Sequence, residues 1–304
     1  MVLATVPTRW GISAMNMLHH CHFLLLAAAL AGASPPATAA DRDDSAAEKL
    51  GFHLATKCYT FRALTLSETL DITKQMGLRY IEINPGQQFS KDRPDKVDPG
   101  ATTELREAIT KRLADLGITA MGFGVVKLGT DEAADRKIFQ FAKDLGITVI
   151  VSEPPANSFA LLDKLTAEYG IKVAMHNHPE PSPYWKPEIV LSTIAGHGPL
   201  IGSCSDVGHW ARSGLVPVDC LHLLDGHIIS LHLKDTNKIG KGAHDVPLGS
   251  GQADVKGMLT ELKRQGFKGL LSLEYESSST GDKLIGEVQQ GVTYFDQVAR
   301  ELAK

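Results

Sequence analysis

Cysteine is scarce in this chain of 304 residues: four in all, of which only Cys58, Cys204 and Cys220 lie beyond residue 40. An odd, scattered set with no CxxC pair excludes a disulfide framework and a zinc knuckle, and leaves packing as the role of these thiols. An excess of positive charge is also missing. Lys and Arg total 31 against 35 Asp and Glu, a net charge of −4, which gives no overall pull toward nucleic acid. Beyond the first forty residues no apolar run is long enough to cross a membrane. No glycine-rich dinucleotide turn follows the first apolar strand, which disfavours an open, doubly wound sheet.

The N-terminus is different in kind. Phe23 to Ala33 is an unbroken run of apolar and small residues, too short for a membrane span and suited to the core of an export signal. Ala37-Thr38-Ala39 and Thr38-Ala39-Ala40 offer small-residue cleavage sites. Residues 1–40 therefore read as a signal peptide, and the mature chain as exported, periplasmic or secreted, with no membrane association after cleavage. Arg9 is the leader's only basic residue, and a start at Met15 or Met17 would drop it. No Cys follows the apolar core, so no lipid-anchor site is expected.

After the leader one phrase recurs: an amphipathic segment, a glycine, then a β-rich apolar run. It reads "TKQMGLRYIEI", "LADLGITAMGF", "AKDLGITVIVS", "AEYGIKVAMHN" and "KRQGFKGLLSLE". Gly77, Gly117, Gly146, Gly170 and Gly266 stand where a helix should end, because glycine takes the left-handed C-terminal cap at little cost. Adding "GFHLATKCY", "IGSCSD" and "IISLHLKD" brings the strands to eight, each followed by a helical segment. Eight βα units at this length predict an α/β fold, a single (β/α)8 barrel over residues 48–304. The long strand-to-helix connections, 84–100, 179–187 and 235–254, all fall at the C-terminal face of such a barrel, where the active site is expected.

Polar residues sit at the ends of those strands. "TVIVSEPP" ends in Glu153, "VAMHNHP" carries His176 and His178, "SDVGHW" carries Asp206 and His209, "SLHLKD" carries His232 and Lys234, and "LSLEYE" carries Glu274. Taken singly, a strand-end carboxylate caps the next helix, and a strand histidine bonds a carbonyl. Several on neighbouring strands at one end, sharing a face by strand alternation, point to a ligand set for one divalent metal ion, Mn, Co, Mg or Zn. Glu82 and Asn84 on the second strand, and His53 and Ala55 on the first, share the inward face and are candidate substrate contacts only.

"SDVGHWARSG", "SLHLKD", "DVPLGSG" and "LSLEYE" resemble the xylose-isomerase-like TIM-barrel family, which includes sugar isomerases and epimerases, keto-sugar lyases and apurinic-site endonucleases. The resemblance runs from about Leu50 to the C-terminus. It implies a metal held by Asp206, His232 and Glu274, together with a strand-five Glu that this chain replaces by His176. Glu153 on the adjacent strand is the expected substitute, with His176 as a fifth ligand or a donor behind the ligands. Dimers are common in that family, so a homodimer is one expected state.

Such a metal polarises neighbouring sugar oxygens, so the expected reaction is proton abstraction beside a carbonyl through an enediolate. Glu274 or Glu153 is the candidate base, and His176, His209 or Lys234 the candidate proton relay. His178, His209, Lys234 and Trp185 are the candidate contacts to a sugar or keto-sugar, with Tyr184 and Trp185 offering a stacking surface. The amides of "PLGSG" are a candidate anion site. Loss of the strand-five Glu argues against two-carboxylate epimerisation and keeps a keto-glycoside lyase in view. Net acidity and export oppose a phosphodiesterase acting on DNA. A sugar-binding barrel without catalysis is the third class.

Overall fold

The computed structural model describes residues 42–304; the expected signal peptide lies outside the described residues. Short helix α1 (Ser45–Leu50) leads into β1 (Phe52–Lys57). There follow α2 (Leu66–Gln75), β2 (Tyr80–Ile83), α3 (Thr103–Leu116), β3 (Thr119–Val126), α4 (Glu132–Asp144) and β4 (Val149–Ser152). The second half runs α5 (Phe159–Tyr169), β5 (Lys172–His176), α6 (Pro187–Ile194), β6 (Ile201–Asp206), α7 (Val207–Arg212), α8 (Pro217–Leu223), β7 (Ile228–Leu233), α9 (Val255–Arg264), β8 (Gly269–Leu273) and α10 (Gly281–Leu302). All eight strands pair in parallel, and β1 pairs with both β2 and β8, so the sheet closes into a barrel. The expected (β/α)8 architecture is present strand for strand.

The local causes are those the repeats announce. Gly77, Gly117, Gly146, Gly170 and Gly266 all take φ between 65° and 71°, a region costly for residues with a Cβ. Helix starts carry side-chain caps, as where Thr65 and Glu68 form a reciprocal capping box on α2. The helices bury one face against the sheet: α4 sinks Ile138, Phe139, Phe141 and Ala142, and each of its large side chains contributes about 1.5–3 kcal/mol by leaving water. Inside the barrel, Val149, Val151, Ala174, Cys204 and Ile229 form a separate apolar plug. Cys58, Cys204 and Cys220 are free and buried, as packing residues should be.

Register delivers the site. Parallel pairing sets Asp206 beside His232 and Cys204 beside His176, so the polar strand ends converge above the plug. Two glycines make room for the groups placed there. A Cβ on Gly122 would lie 2.7 Å from Glu82 Cγ, and one on Gly208 would lie 2.7 Å from Lys234 Cδ; neither buried charge fits beside a side chain at those positions.

Candidate metal centre

At the C-terminal end of the barrel is a cavity of about 340 Å3, lined by Lys57, Tyr59, Asn84, Pro85, Val125, His176, His178, His209, His232, Glu274 and Glu276. Ligand atoms of Asp206, His232 and Glu274 all lie within 4.8 Å of one another, and those of His176, Asp206 and His209 form an overlapping group. Asp206 is the hub. Its Oδ1 accepts from the His209 amide at 2.8 Å and caps α7. Its Oδ2 faces His176 Nε2 at 3.5 Å, His232 Nδ1 at 3.6 Å and Lys234 Nζ at 3.0 Å. One side chain thus performs both the capping role and the site role that the sequence holds as alternatives.

Hydrogen bonds behind each imidazole decide which nitrogen can bind an ion. Glu82 Oε1 lies 2.9 Å from His232 Nε2, and Glu153 Oε1 lies 2.9 Å from His176 Nδ1. A carboxylate only accepts, so each occupies the ring N–H and leaves the opposite nitrogen as a lone pair. Those opposite nitrogens, His232 Nδ1 and His176 Nε2, are the ones that face Asp206 Oδ2. Behind His209 stands the reverse partner: Arg212 Nη1 lies 2.8 Å from His209 Nδ1, and a guanidinium only donates. His209 therefore carries its proton on Nε2 and presents a donor to the cavity.

The residues fit a cation. Asp206 Oδ2 and His232 Nδ1 are buried with no well-directed hydrogen bond among the described residues; the Lys234 ammonium stands 3.0 Å from the first and Glu274 Oε2 3.0 Å from the second. Acceptors converging on one point in a dry interior repel unless a proton or a metal ion sits between them. His176 Nε2, Asp206 Oδ2, His232 Nδ1 and Glu274 Oε2, two imidazoles and two carboxylates, are the atoms that would hold a divalent ion. Burial opposes charge at Asp206 and Glu274, but the surrounding imidazoles and the Lys234 ammonium outweigh it and hold both carboxyls well below the usual range. Burial also opposes charge on His232, yet Cys204, Glu82 and Glu274 raise its pKa well above the ordinary value, which favours a proton on Nδ1 between the carboxylates, in the place that a bound ion would take.

Several sequence-predicted residues take other places. Glu153, expected as a ligand, forms with His176 and His178 a third group whose ligand atoms lie within 4.8 Å of one another; its Oε1 pairs with both imidazoles and its Oε2 accepts from Ser182 Oγ at 3.2 Å. Burial would raise its pKa, but the two imidazoles bring it down to about 2. Lys234, expected to touch substrate, is buried and paired with Asp206, Glu274 and Glu276; three carboxylates draw the ammonium inward off the mouth. Trp185 lies outside the cavity lining and stacks under Lys186 at 5.5 Å, while Tyr184 is buried with its hydroxyl on the Pro154 carbonyl. Tyr59, after β1, is the ring that reaches the cavity. His178 stays at the mouth, half exposed, and its bond to Glu153 raises its pKa.

The "PLGSG" amides are taken. Asp235 carboxylate oxygens accept from the amides of Gly249 at 2.9 Å, Gly251 at 2.8 Å and Ala253 at 3.1 Å, which closes the expected anion site. Two residues of weight were missed by the sequence reading: Lys57, and Glu82 as the carboxylate behind His232. Strand parity is the signal that finds Lys57, which lies on the face of His53 and Ala55.

A family described as xylose isomerase-like TIM barrel matches residues 70–298. The chain belongs to this family. Among solved structures, this xylose isomerase-like barrel is 32% identical to an uncharacterised protein from Parabacteroides distasonis ATCC 8503, over 81% of this chain and 99% of that one, with a TM-score of 0.66. A D-tagatose 3-epimerase-like protein shares the fold at 15% identity, 82% and 99% coverage and a TM-score of 0.63. So does an IOLI protein solved with a zinc atom, at 20% identity, 82% and 99% coverage and a TM-score of 0.60. No curated protein matches the chain. Among the described residues no helix is long and apolar enough to cross a membrane.

Proposed function

We propose that this chain is an exported, divalent-metal-dependent enzyme that removes the proton beside the carbonyl of a sugar or keto-sugar, with sugar isomerase or epimerase chemistry as the first reading. The observation that carries it is the convergence of Asp206, His232 and Glu274, whose ligand atoms lie within 4.8 Å of one another, with Asp206 Oδ2 and His232 Nδ1 buried and making no well-directed hydrogen bond among the described residues. Zinc in the IOLI structure and the epimerase likeness support it. A divalent ion held there supplies Lewis acidity toward adjacent substrate oxygens.

The protein's own groups do the rest. Glu274 takes the C–H proton; that electron pair forms the C=C bond, and the carbonyl π pair moves onto oxygen. His209, protonated on Nε2, donates a hydrogen bond to a substrate oxygen. The apolar plug below keeps the floor dry, which strengthens each of these contacts.

A second reading, a keto-glycoside lyase, is favoured by the placement of charge. The carboxylates lining the cavity, Glu274 and Glu276, both follow β8, so no second carboxylate faces them to return a proton to the opposite side. His178, whose bond to Glu153 at the mouth raises its pKa and favours the imidazolium, suits protonation of the departing oxygen as the β C–O bond breaks.

The test is solvent deuterium entry into a panel of sugars and 3-keto-glycosides with Mn2+. Deuterium beside the carbonyl supports abstraction, and the product distinguishes isomerisation, epimerisation and elimination. Glu274→Gln should lower exchange at least ~100-fold with the fold intact; retained exchange excludes Glu274 as base. No exchange in any sugar, with one bound metal per chain, supports a binding protein instead, and two or three metals favour phosphoester cleavage.

A further inference from the structure

One charge in the cavity wall is unused by that chemistry. Lys57, the last residue of β1, is buried with a relative exposure of 1%, yet it lines the cavity. Its ammonium donates to the Gly124 carbonyl at 2.5 Å and pairs with Glu82 Oε1 at 2.9 Å. An ammonium has three N–H donors; two have partners among the described residues, and the third remains. The same Glu82 oxygen lies 2.9 Å from His232 Nε2, so Lys57 and His232 stand on two sides of one carboxylate oxygen.

We propose that Lys57 is a catalytic residue that donates its third N–H to the substrate oxygen on which negative charge develops during proton abstraction. The inference rests on the reaction class proposed above. The geometry favours a donor over a base. Two fixed acceptors hold the nitrogen on β1, the strand that pairs with β8, which Glu274 follows, so donor and base stand side by side. Glu82, shared between Lys57 and His232 and bonded to Ser272 Oγ at 2.5 Å, is the positioning residue for both. Burial of a full ammonium is costly, and a structural pair with Glu82 alone needs no opening onto the cavity. No proton leaves Lys57 in the step: the base holds the abstracted proton, and the ammonium only lowers the energy of the oxyanion, a role in which one lost donor costs about 10²–10³ in rate.

The experiment uses the metal-loaded full chain and the double variant Lys57→Met/Glu82→Gln. The amide oxygen introduced by Glu82→Gln can still accept from His232, and no lone charge is left buried, so the variant can fold. Three readouts are compared with the unaltered protein and with Glu82→Gln alone, so that each difference from the single variant belongs to Lys57: metal content, deuterium exchange with the best sugar of the panel, and calorimetric affinity for glycolohydroxamate, a planar chelating mimic of an enediolate. The expected result is unchanged metal content, exchange lowered about 100-fold or more, and hydroxamate affinity lowered about 10-fold or more. Equal hydroxamate affinity overturns the Lys57 assignment, as does near-equal exchange, while leaving proton abstraction standing. Loss of metal overturns it too, by assigning Lys57 to holding the centre. If the unaltered protein exchanges no sugar, the reaction class falls, and the hydroxamate comparison alone decides whether Lys57 donates to a bound oxyanion.

Discussion

His178 and His209 face each other across the cavity mouth, with ring centroids 5.0 Å apart and planes 30° apart, yet their chemistry is opposite. Behind His178 Nδ1 stands the Glu153 carboxylate, which favours the imidazolium. Behind His209 Nδ1 stands the Arg212 guanidinium, which requires a neutral ring. Burial lowers the His209 pKa first, and Lys234, His176 and Arg212 lower it further, to about 2 against the opposing pull of Asp206. Residue type and neighbourhood are nearly shared. What differs is burial and the sign of the group on the far nitrogen, and together they separate a proton donor in acid–base catalysis from a fixed polar contact.

The largest effect on this contrast should come from Asp206→Ala, since Asp206 Oδ2 faces both the ligand imidazoles and His209. We expect metal content after dialysis to fall below about a tenth of an ion per chain, and stability to drop by about 1–2 kcal/mol from loss of the α7 cap alone. Metal retained at full stoichiometry would move the centre elsewhere.

Glu153→Gln should come next. It removes the counter-charge of His178 and should slow leaving-group departure from 3-keto-glycosides by about 10²-fold, with deuterium exchange much less affected. The pH profile carries the sign. A raised His178 pKa means the active imidazolium persists above its ordinary value near 6.5 and is lost as pH rises through the raised value. In Glu153→Gln that alkaline limb should shift to lower pH. A limb that stays in place would show that His178 is not the acid.

Arg212→Met should have the smallest effect, about 10-fold in KM, because His209 is then free to change tautomer. Nitrogen NMR of His209 should report Nε2–H in the unaltered protein and a mixture in the variant. The guanidinium also pairs with Asp245 at 2.5 Å, so thermal melting should accompany the measurement.

The strand count and helix ends were legible in advance, because a glycine after an amphipathic segment and before an apolar run is a local signal with one physical meaning. Asp206, His232 and Glu274 were legible too, since parity and strand order place them at one end. Glu153 meets the site through His176 and His178, with which it forms a further group that could hold an ion, and parity does not carry that detail: alternation says which face a side chain takes, not how far above the neighbouring strand it stands or which ring nitrogen it meets. Lys57 escaped because a lysine ending an apolar strand ordinarily reaches water. Parity places Lys234 on the inward face with His232, and pairing with Asp206, Glu274 and Glu276 buries it there. Arg212 and the Asp235 staple are contacts across loops, with no periodic trace in the chain.

Asp235 clasps both ends of the segment after β7 through Thr236, Gly249, Gly251 and Ala253. Held at its base, the segment 238–243 is also tied to α7, where the Gly240 amide donates to the Ala211 carbonyl at 2.7 Å. Length added there costs only the slow logarithm of loop closure, roughly 0.6 kcal/mol per doubling. It is the position at which new selectivity can be grafted beside the cavity.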